Sequence, residues 1–275
     1  MKKTKILKIA LLGLGVYGII NALKKGKTNI PKNERDIKRA VLIVINGESN
    51  AGGMAKNKDA TPYELEVNNQ VYIFNADVFD FQPMQIGHNN NTGHFGLDSY
   101  MHGVELGISN KVREGVFGDK LVFIVKTGQG GSKIEEWNER SEYTRIMKER
   151  INYSVKYLTD RGFDFESFVI YTQGINDAVK EGGDTVENWK EKTIRHIGSI
   201  RGILGDIKVF FIKHMIHPEL VPYIQAIDDL SSIDRNIIPI SSEGATLEDK
   251  YHFDYFGMKL ISYRIIEKML TYLKK

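Results

Sequence analysis

The sequence predicts a doubly wound, three-layer α/β/α sandwich built on a mainly parallel sheet of five strands. Two observations support this fold class. Five short runs rich in β-branched and aromatic residues are apolar on both faces, as strands covered by helices on both sides are. Segments with helical hydrophobic periodicity separate these runs, so strand and helix alternate along the chain. The alternation begins near residue 40 and continues to the end of the sequence.

The five strands are expected at VLIVIN (41–46), LVFIVKT (121–127), SFVIYTQ (167–173), KVFFIKHM (208–215) and NIIPIS (236–241). Helices are expected over residues 103–114, 141–162, 185–204, 219–233 and 255–273, the fourth being the weakest. The insertion 54–100 contains QVYIFN and the Gly/Asn/His-rich GHNNNTGHFG, and is predicted to be a loop or hairpin laid over the sheet. Residues 39–275 are therefore expected to form one domain.

Composition and charge exclude several classes of protein. With 41% hydrophobic and 27% charged residues, the 275-residue chain has an ordinary globular composition. It has no cysteine, which excludes disulfides and thiolate metal sites. Residues 1–32 hold eight lysines and no acid, so the rest carries 30 basic against 35 acidic residues, a net charge of −5. A mildly acidic body without a basic stripe is not expected to bind nucleic acid.

Residues 1–38 form a separate basic and apolar segment. The cationic start MKKTKILK precedes the apolar run IALLGLGVYGIINAL (9–23), an order typical of a secretory signal or an uncleaved membrane anchor. We therefore expect membrane association through residues 6–23 and a membrane-anchored or exported protein of the cell envelope. The alternative is an N-terminal helix packed on the domain or on a partner, in a virion or cytoplasmic protein.

A third interpretation of this segment is a dinucleotide-binding turn. Gly13, Gly15 and Gly18 spell G-x-G-x-x-G after a strand-like run. The motif also requires a second strand ending in an acid about 20 residues further on. Glu34 and Asp36 are present, but no apolar strand precedes them, so this interpretation is the weakest of the three.

Four polar turns follow predicted strands, at the sheet edge where doubly wound folds bind ligands. They are Gly47-Glu48-Ser49-Asn50, GQGGSKIEEW (128–137), Gln173-Gly174-Ile175-Asn176-Asp177 and LEDKYHFDYFG (247–257). Each has a purely structural alternative: a helix N-cap for Ser49, an ordinary loop for the glycines, a helix cap for Asp177 and a surface turn for DKYH. Their order on a single edge favours a catalytic site.

The residues in these turns suit acyl transfer. A serine hydroxyl is a poor nucleophile near neutral pH and needs a base within hydrogen-bond reach. His252 is the candidate base for Ser49, and Asp249, three residues before it, is placed to hold the imidazole tautomer and stabilise the imidazolium.

A tetrahedral oxyanion also needs preorganised donors. The candidates for this oxyanion hole are the Ser49 N–H, the N–H of Gly131 or Gly130, and the side-chain amide of Asn176 or Gln173.

Neighbouring polar and aromatic residues are candidates for substrate contact. They are Glu48, Asn50, Gly130, Trp137 and His214. For His214 and His217 a solvated position in the loop after the fourth-listed strand is the favoured alternative. His88 and His94, in the insertion, are weaker candidates for sugar contact. No His or carboxylate cluster has the spacing of a metal site, so no metal is expected.

Five segments in order resemble the motifs of the SGNH (GDSL-like) hydrolases, and within them the sialate O-acetylesterase-like carbohydrate esterases. These segments are GESNA, HGVELG (102–107), GGSKIEEW, QGIND and DKYHF, and the resemblance spans about residues 40–270. It implies a flavodoxin-like sandwich in which Ser49, Asp249 and His252 match the nucleophile, acid and base. It also implies hydrolysis of O-acetyl esters of sialic acid or another acetylated glycan, without a cofactor.

The chain departs from the family pattern at several positions. Glu48 replaces a glutamine, and because a carboxylate beside the oxyanion would be unfavourable, we expect it to turn toward backbone donors. Ala51 replaces a methionine. Ile175 and Asn176 make the fourth motif resemble the G-x-N-D block of the wider superfamily, which favours Asn176 over Gln173 in the oxyanion hole. Two other functions remain open: a non-catalytic glycan-binding or assembly protein that keeps the fold, and a lipase- or peptidase-like acyl hydrolase.

Overall fold

A seven-stranded sheet forms the centre of the protein. In the computed structural model the described residues are 38–90 and 100–274. The strands are β1 (Lys38–Gly47), β2 (Ala55–Lys56), β3 (Asn68–Asn75), β4 (Asp80–Met84), β5 (Met101–His102), β6 (Leu121–Lys126), β7 (Phe163–Thr172), β8 (Lys208–Ile212) and β9 (Ile237–Ile240). The large sheet has the order β4-β3-β6-β1-β7-β8-β9, and β2 pairs with β5 in a separate two-stranded sheet.

Six of the seven strands are parallel, and β4 at the edge is antiparallel to β3. Strand β1 lies at the centre, with Val44 paired to Val125 of β6 and Val169 of β7. The parallel arrangement places the carboxyl ends of β1, β6, β7, β8 and β9 at one edge. The four polar turns predicted from the sequence therefore meet at that edge.

Seven α-helices are described: α1 (Ser49–Gly52), α2 (Val104–Arg113), α3 (Glu142–Asp160), α4 (Ile175–Val179), α5 (Val186–Leu204), α6 (Val221–Ile233) and α7 (Tyr255–Leu270). The side chains of β1 alternate between two apolar cores. Val41, Ile43 and Ile45 pack under α2 and α7, while Leu42 and Val44 pack under α3, α5 and α6. Both faces of the sheet are thus buried, which confirms the predicted three-layer sandwich and its five helices.

Side-chain caps fix the starts of the long helices. The hydroxyls of Ser141 and Thr185 accept hydrogen bonds from Thr144 N and Asn188 N at the beginnings of α3 and α5. Asp254 accepts from Gly257 N at the beginning of α7, and such caps are each worth about 1 kcal/mol. Because Asp254 is two residues beyond His252, its cap also determines where the DKYH turn enters α7.

The insertion differs from its prediction. QVYIFN lies within β3, which pairs with β4 and with β6. The hairpin therefore extends the sheet at its edge, giving seven strands in place of five, and does not lie over it. The physical reason is that β6 has an unpaired edge and β3 is apolar enough to cover it: Val71, Ile73 and Phe74 are all buried.

Several sequence predictions fall outside the described residues. These are the segment 1–37, including the proposed membrane association of residues 6–23, and His94. Within residues 38–90 and 100–274, no helix is long and apolar enough to cross a membrane.

Candidate active site

A tight turn at the end of β1 presents Ser49. Gly47 has φ = +134°, and a Cβ there would lie 1.8 Å from Thr172 O of the neighbouring strand β7. The N–H of Glu48 donates to the same carbonyl at 3.0 Å. Only glycine allows this approach, and the chain then enters the short helix α1 at Ser49.

Ser49, His252 and Asp249 form a continuous hydrogen-bonded chain. Ser49 Oγ lies 2.9 Å from His252 Nε2, and His252 Nδ1 lies 2.7 Å from Asp249 Oδ2. The other carboxylate oxygen, Asp249 Oδ1, accepts from the backbone N–H groups of Tyr251 and His252 at 2.8 and 2.9 Å. The Asp carboxylate thus fixes both the loop backbone and the orientation of the ring.

The charge state of Asp249 suits this arrangement. Partial burial acts to raise the pKa of Asp249, but hydrogen bonds from the His252 ring and from two backbone N–H groups outweigh it and hold the pKa below its ordinary value. Asp249 is therefore ionised at neutral pH and stabilises a positive charge on His252. The arrangement can move the Ser49 proton to His252, which is the first step of nucleophilic acyl transfer.

Asn50 joins the serine turn to the histidine loop. Its Nδ2 donates to Tyr251 O at 3.2 Å, and its Oδ1 accepts from Phe253 N at 3.2 Å. Asn50 is 1% exposed, so it is not available to a substrate and the prediction of substrate contact is wrong. Its amide instead holds the two halves of the site at a fixed distance.

The glycine-rich turn after β6 packs against the serine turn. Gln129 N donates to Gly47 O at 2.8 Å, and a Cβ on Gly128 would lie 2.9 Å from the Ala51 Cβ. The N–H groups of Ser49, Gly130 and Gly131 have no acceptor among residues 38–90 and 100–274. The turn that carries Gly130 and Gly131 is thus held against the serine turn, and its free N–H groups are candidate oxyanion donors.

Two side-chain amides in the turn after β7 also lack an acceptor within the described part of the chain. They are Asn176 Nδ2 and Gln173 Nε2, both buried. Gln173 Oε1 accepts from Gly174 N at 3.1 Å, which fixes that amide within its own turn. Asn176, on the first turn of α4, is 7% exposed whereas Gln173 is 0% exposed. The greater exposure of Asn176 favours it as the donor that reaches a ligand.

Asp177 is hydrogen-bonded to the backbone at the end of the glycine-rich turn. Both of its carboxylate oxygens accept from Ile134 N, each at 3.1 Å. Burial, against the effect of this hydrogen bond, raises the pKa of Asp177 to about 7. The predicted role of Asp177 as a helix cap is therefore replaced by a contact between the two turns that carry the candidate oxyanion donors.

Glu48 is placed differently from its prediction. It is fully buried, and its carboxyl group is within hydrogen-bond distance of three side chains: Ser49 Oγ at 2.6 Å, Asn50 Nδ2 at 3.2 Å and Thr172 Oγ1 at 3.2 Å. The expectation that it faces backbone donors is wrong, as is its predicted contact with substrate. The Glu48 N–H donates to Thr172 O of β7. With the backbone held in this way, the Glu48 side chain lies against Ser49 in the interior.

His214 and Trp137 are packing residues. His214 is 2% exposed, and its Nε2 donates to Gln173 O at 3.0 Å, so the expected solvated position is wrong. Burial lowers the pKa of His214, and the neutral ring braces the Gln173 turn. Trp137 is 3% exposed and donates from Nε1 to Ser132 Oγ at 3.0 Å. His214 lies in the interior, whereas Trp137 also lines a cavity between the turn 134–137 and the helices α3 and α5.

A buried ion pair lies at the carboxyl end of β6 and was missed from the sequence. Lys126, the last residue of β6, lies 3.0 Å from Glu105, and both side chains are 0% exposed. Glu105 Oε1 also accepts from Gly103 N and Asn90 Nδ2. The motif HGVELG contains Glu105, but nothing local to it identifies its partner, because the two residues are 21 positions apart.

One cavity of the described domain has no lining residue from the Ser49 turn. It has a volume of about 580 Å³ and lies between the turn 134–137 and the helices α3 and α5, where Arg140, Lys192 and Arg195 are among its lining residues. Within the described residues, no group of three or more His, Asp or Glu side chains is arranged to hold a metal ion.

The fold and the geometry of this edge define a hydrolase of the SGNH type. A sequence profile of the family described as carbohydrate esterase, sialic acid-specific acetylesterase matches residues 39–271. The chain therefore belongs to this family of carbohydrate esterases and is a carboxylic ester hydrolase. This confirms the resemblance inferred from the five motifs. No curated protein matches the sequence.

Solved structures share the fold. A protein from Arabidopsis thaliana superposes with a TM-score of 0.68 at 17% identity, over 85% of this chain and 98% of that one. NanS superposes with a TM-score of 0.64 at 14% identity, over 86% of this chain and 98% of that one. A carbohydrate acetylesterase from Xanthomonas citri gives 0.55 at 14% identity, over 85% of this chain and 57% of that one. At these identities the likeness establishes the fold.

Proposed function

We propose that this chain is a serine esterase that removes O-acetyl groups from a carbohydrate through an acyl-Ser49 intermediate. The observation that carries the proposal is the hydrogen-bonded chain from Asp249 through His252 to Ser49, with contacts of 2.7 and 2.9 Å. The family description supports sialic acid or another acetylated glycan as the substrate.

In the first half-reaction Ser49 Oγ attacks the acetyl carbonyl as its proton moves to His252 Nε2. The carbonyl oxygen becomes an oxyanion, which the N–H groups of Ser49 and Gly131 and the amide of Asn176 stabilise. The bond between the acetyl carbonyl carbon and the sugar oxygen then breaks, and the sugar oxygen takes the proton from His252.

In the second half-reaction a water molecule gives its proton to His252 and attacks the acetyl-Ser49 carbonyl. Ser49 Oγ leaves with that proton, and acetate is released. Removal of one oxyanion donor commonly lowers the rate by about 10²- to 10³-fold, so the variant Asn176→Ala tests the choice of Asn176 over Gln173.

The direct test is the variant Ser49→Ala. Hydrolysis of p-nitrophenyl acetate should fall by about 10⁴-fold or more, with the circular dichroism spectrum unchanged. The matched control is Ser232→Ala, on the exposed surface of α6, which should keep wild-type turnover. A Ser49→Ala variant with wild-type turnover would show that Ser49 is not the nucleophile.

Two panels test the substrate. Acetate release from glycans acetylated at different positions, O-acetylated sialic acid among them, identifies the sugar. A series of acetyl, butyryl and longer p-nitrophenyl esters separates an acetylesterase from a lipase-like acyl hydrolase, because a tight acetyl pocket rejects longer chains. Faster turnover of the long esters would contradict acetyl specificity.

One observation favours a second candidate function. Ser49 Oγ also lies 2.6 Å from Glu48 Oε2, and a carboxylate that accepts the hydroxyl's hydrogen bond turns its hydrogen away from His252 and leaves the hydroxyl unreactive. The chain would then hold an acetylated glycan without cleaving it. A serine-directed phosphonate separates the two functions, since it labels Ser49 of an active esterase and leaves a binding protein unlabelled.

For the location we infer the cell envelope, with residues 1–38 as anchor or export signal. The support is the order of charge and hydrophobicity in that segment.

A further inference from the structure

The contacts of Ser49 Oγ require one more hydrogen atom than a Ser-His-Asp triad contains. Oγ lies 2.6 Å from Glu48 Oε2 and 2.9 Å from His252 Nε2. The hydroxyl supplies one hydrogen, which satisfies one of these two contacts. If Glu48 is ionised and His252 is neutral with its proton on Nδ1, the other contact joins two acceptors. One further proton must therefore be bound by Glu48 or by His252.

Burial decides which of the two residues binds it. Glu48 is 0% exposed, and it forms no ion pair with any residue in 38–90 or 100–274. Its hydrogen-bond partners are Ser49, Asn50 and Thr172, all uncharged, and the nearby titratable groups are the neutral Tyr171 of β7 and the neutral His214 after β8. An ionised carboxylate in such surroundings is unfavourable.

The alternative state places the extra proton on His252 and leaves Glu48 ionised. This state holds three charges, on Asp249, His252 and the buried Glu48. With the proton on Glu48 the single charge is on Asp249, whose side chain is 54% exposed and therefore hydrated. The net charge is the same in both states, so desolvation favours a neutral Glu48.

We propose that Glu48 is protonated in the active enzyme and donates its Oε2–H to Ser49 Oγ, which directs the Ser49 hydrogen to His252. This inference rests on the proposed serine esterase function. During attack the Oγ–H bond breaks and that proton moves to Nε2, while Glu48 keeps its own proton. Loss of the Glu48 proton draws the Ser49 hydrogen to Oε2 and places a negative charge beside the developing oxyanion.

Activity should decline at alkaline pH because Glu48 loses its proton, and a variant without this carboxyl group should not show the decline. In wild-type enzyme kcat/KM for an acetyl ester should rise with pH, pass through a maximum and fall. In Glu48→Gln, whose amide donates the same hydrogen bond at every pH, it should rise to a plateau. At the alkaline end the variant should exceed the wild type by about tenfold or more. The control Glu219→Gln removes a carboxylate at the exposed histidine loop and should keep the decline.

A wild-type profile without an alkaline decline would overturn the proposal, as would a folded Glu48→Gln variant that is inactive at every pH. A measurement without turnover separates this inference from the proposed function. In NMR spectra of protein labelled with ¹³C at the glutamate side-chain carboxyl, the signal that is present in the wild type and absent from Glu48→Gln belongs to Glu48. A neutral carboxyl shift at pH 7 supports the proposal even if Ser49→Ala shows that the protein is not an esterase, and an ionised shift overturns it.

Discussion

The variant Asp249→Asn tests the role of a single charge in the site. Asp249 Oδ1 accepts from two backbone N–H groups at 2.8 and 2.9 Å, and Oδ2 accepts from His252 Nδ1 at 2.7 Å. Asparagine has the same shape, so its oxygen keeps the backbone hydrogen bonds while its amide group faces Nδ1. Because that amide donates, Nδ1 becomes an acceptor and the ring proton moves to Nε2. There it prevents His252 from accepting the Ser49 proton.

The same tautomer change in a serine protease lowers kcat by about 10⁴-fold, which corresponds to about 5.4 kcal/mol of barrier. Turnover of p-nitrophenyl acetate near neutral pH measures it. Urea unfolding at the same pH checks that the loop remains folded. Asp160→Asn, in an exposed ion pair with Lys156 at the end of α3, is the matched control and should keep wild-type turnover. A loss of less than about tenfold in Asp249→Asn would refute the assignment of Asp249 as the group that orients His252.

Three further predictions concern stability and location. Burial raises the pKa of Asp177 from 3.8 to about 7. The fold therefore favours the neutral Asp177 carboxyl, and this stabilisation is complete below pH 3.8 and is lost as pH rises to about 7. Asp177→Asn should remove that pH dependence, which is at most about 4 kcal/mol, and an unchanged slope of unfolding free energy against pH would contradict it. Lys126→Met, which leaves Glu105 buried and unpaired, should lower the free energy of unfolding by about 3 to 5 kcal/mol. Lys156→Met, at an exposed pair, is its control, and equal losses would show that the buried pair is unimportant. The intact chain should fractionate with membranes or be exported, and recovery of the full-length chain in the soluble cytosolic fraction would contradict the predicted role of residues 6–23.

Much of the fold was predictable because its signals are local. Strand and helix periodicities depend on neighbouring residues, and all five predicted strands and five predicted helices are present with end points shifted by up to four residues. The hairpin was harder to place. QVYIFN has the composition of a strand, but its position depends on the unpaired edge of β6, some fifty residues further along the chain.

The residue types of the candidate site were predictable, but the predicted orientations of several of its side chains were wrong. Turns after parallel strands meet at one edge, which is why Ser49, Asp249 and His252 were identified together. Burial is not a local property, so Asn50, Trp137 and His214 were expected to be accessible and lie in the core instead.

The sequence by itself determined the alternation of strands and helices, the family, and which side chains are available for acyl transfer. Only the tertiary structure decided that Ser49 meets His252, a partner 203 residues away. It also decided that Glu48 lies buried beneath the nucleophile. The physical reason is the close contact of Gly47 with Thr172 in the neighbouring strand, which turns the Glu48 carboxylate inward and which no pattern within GESN contains.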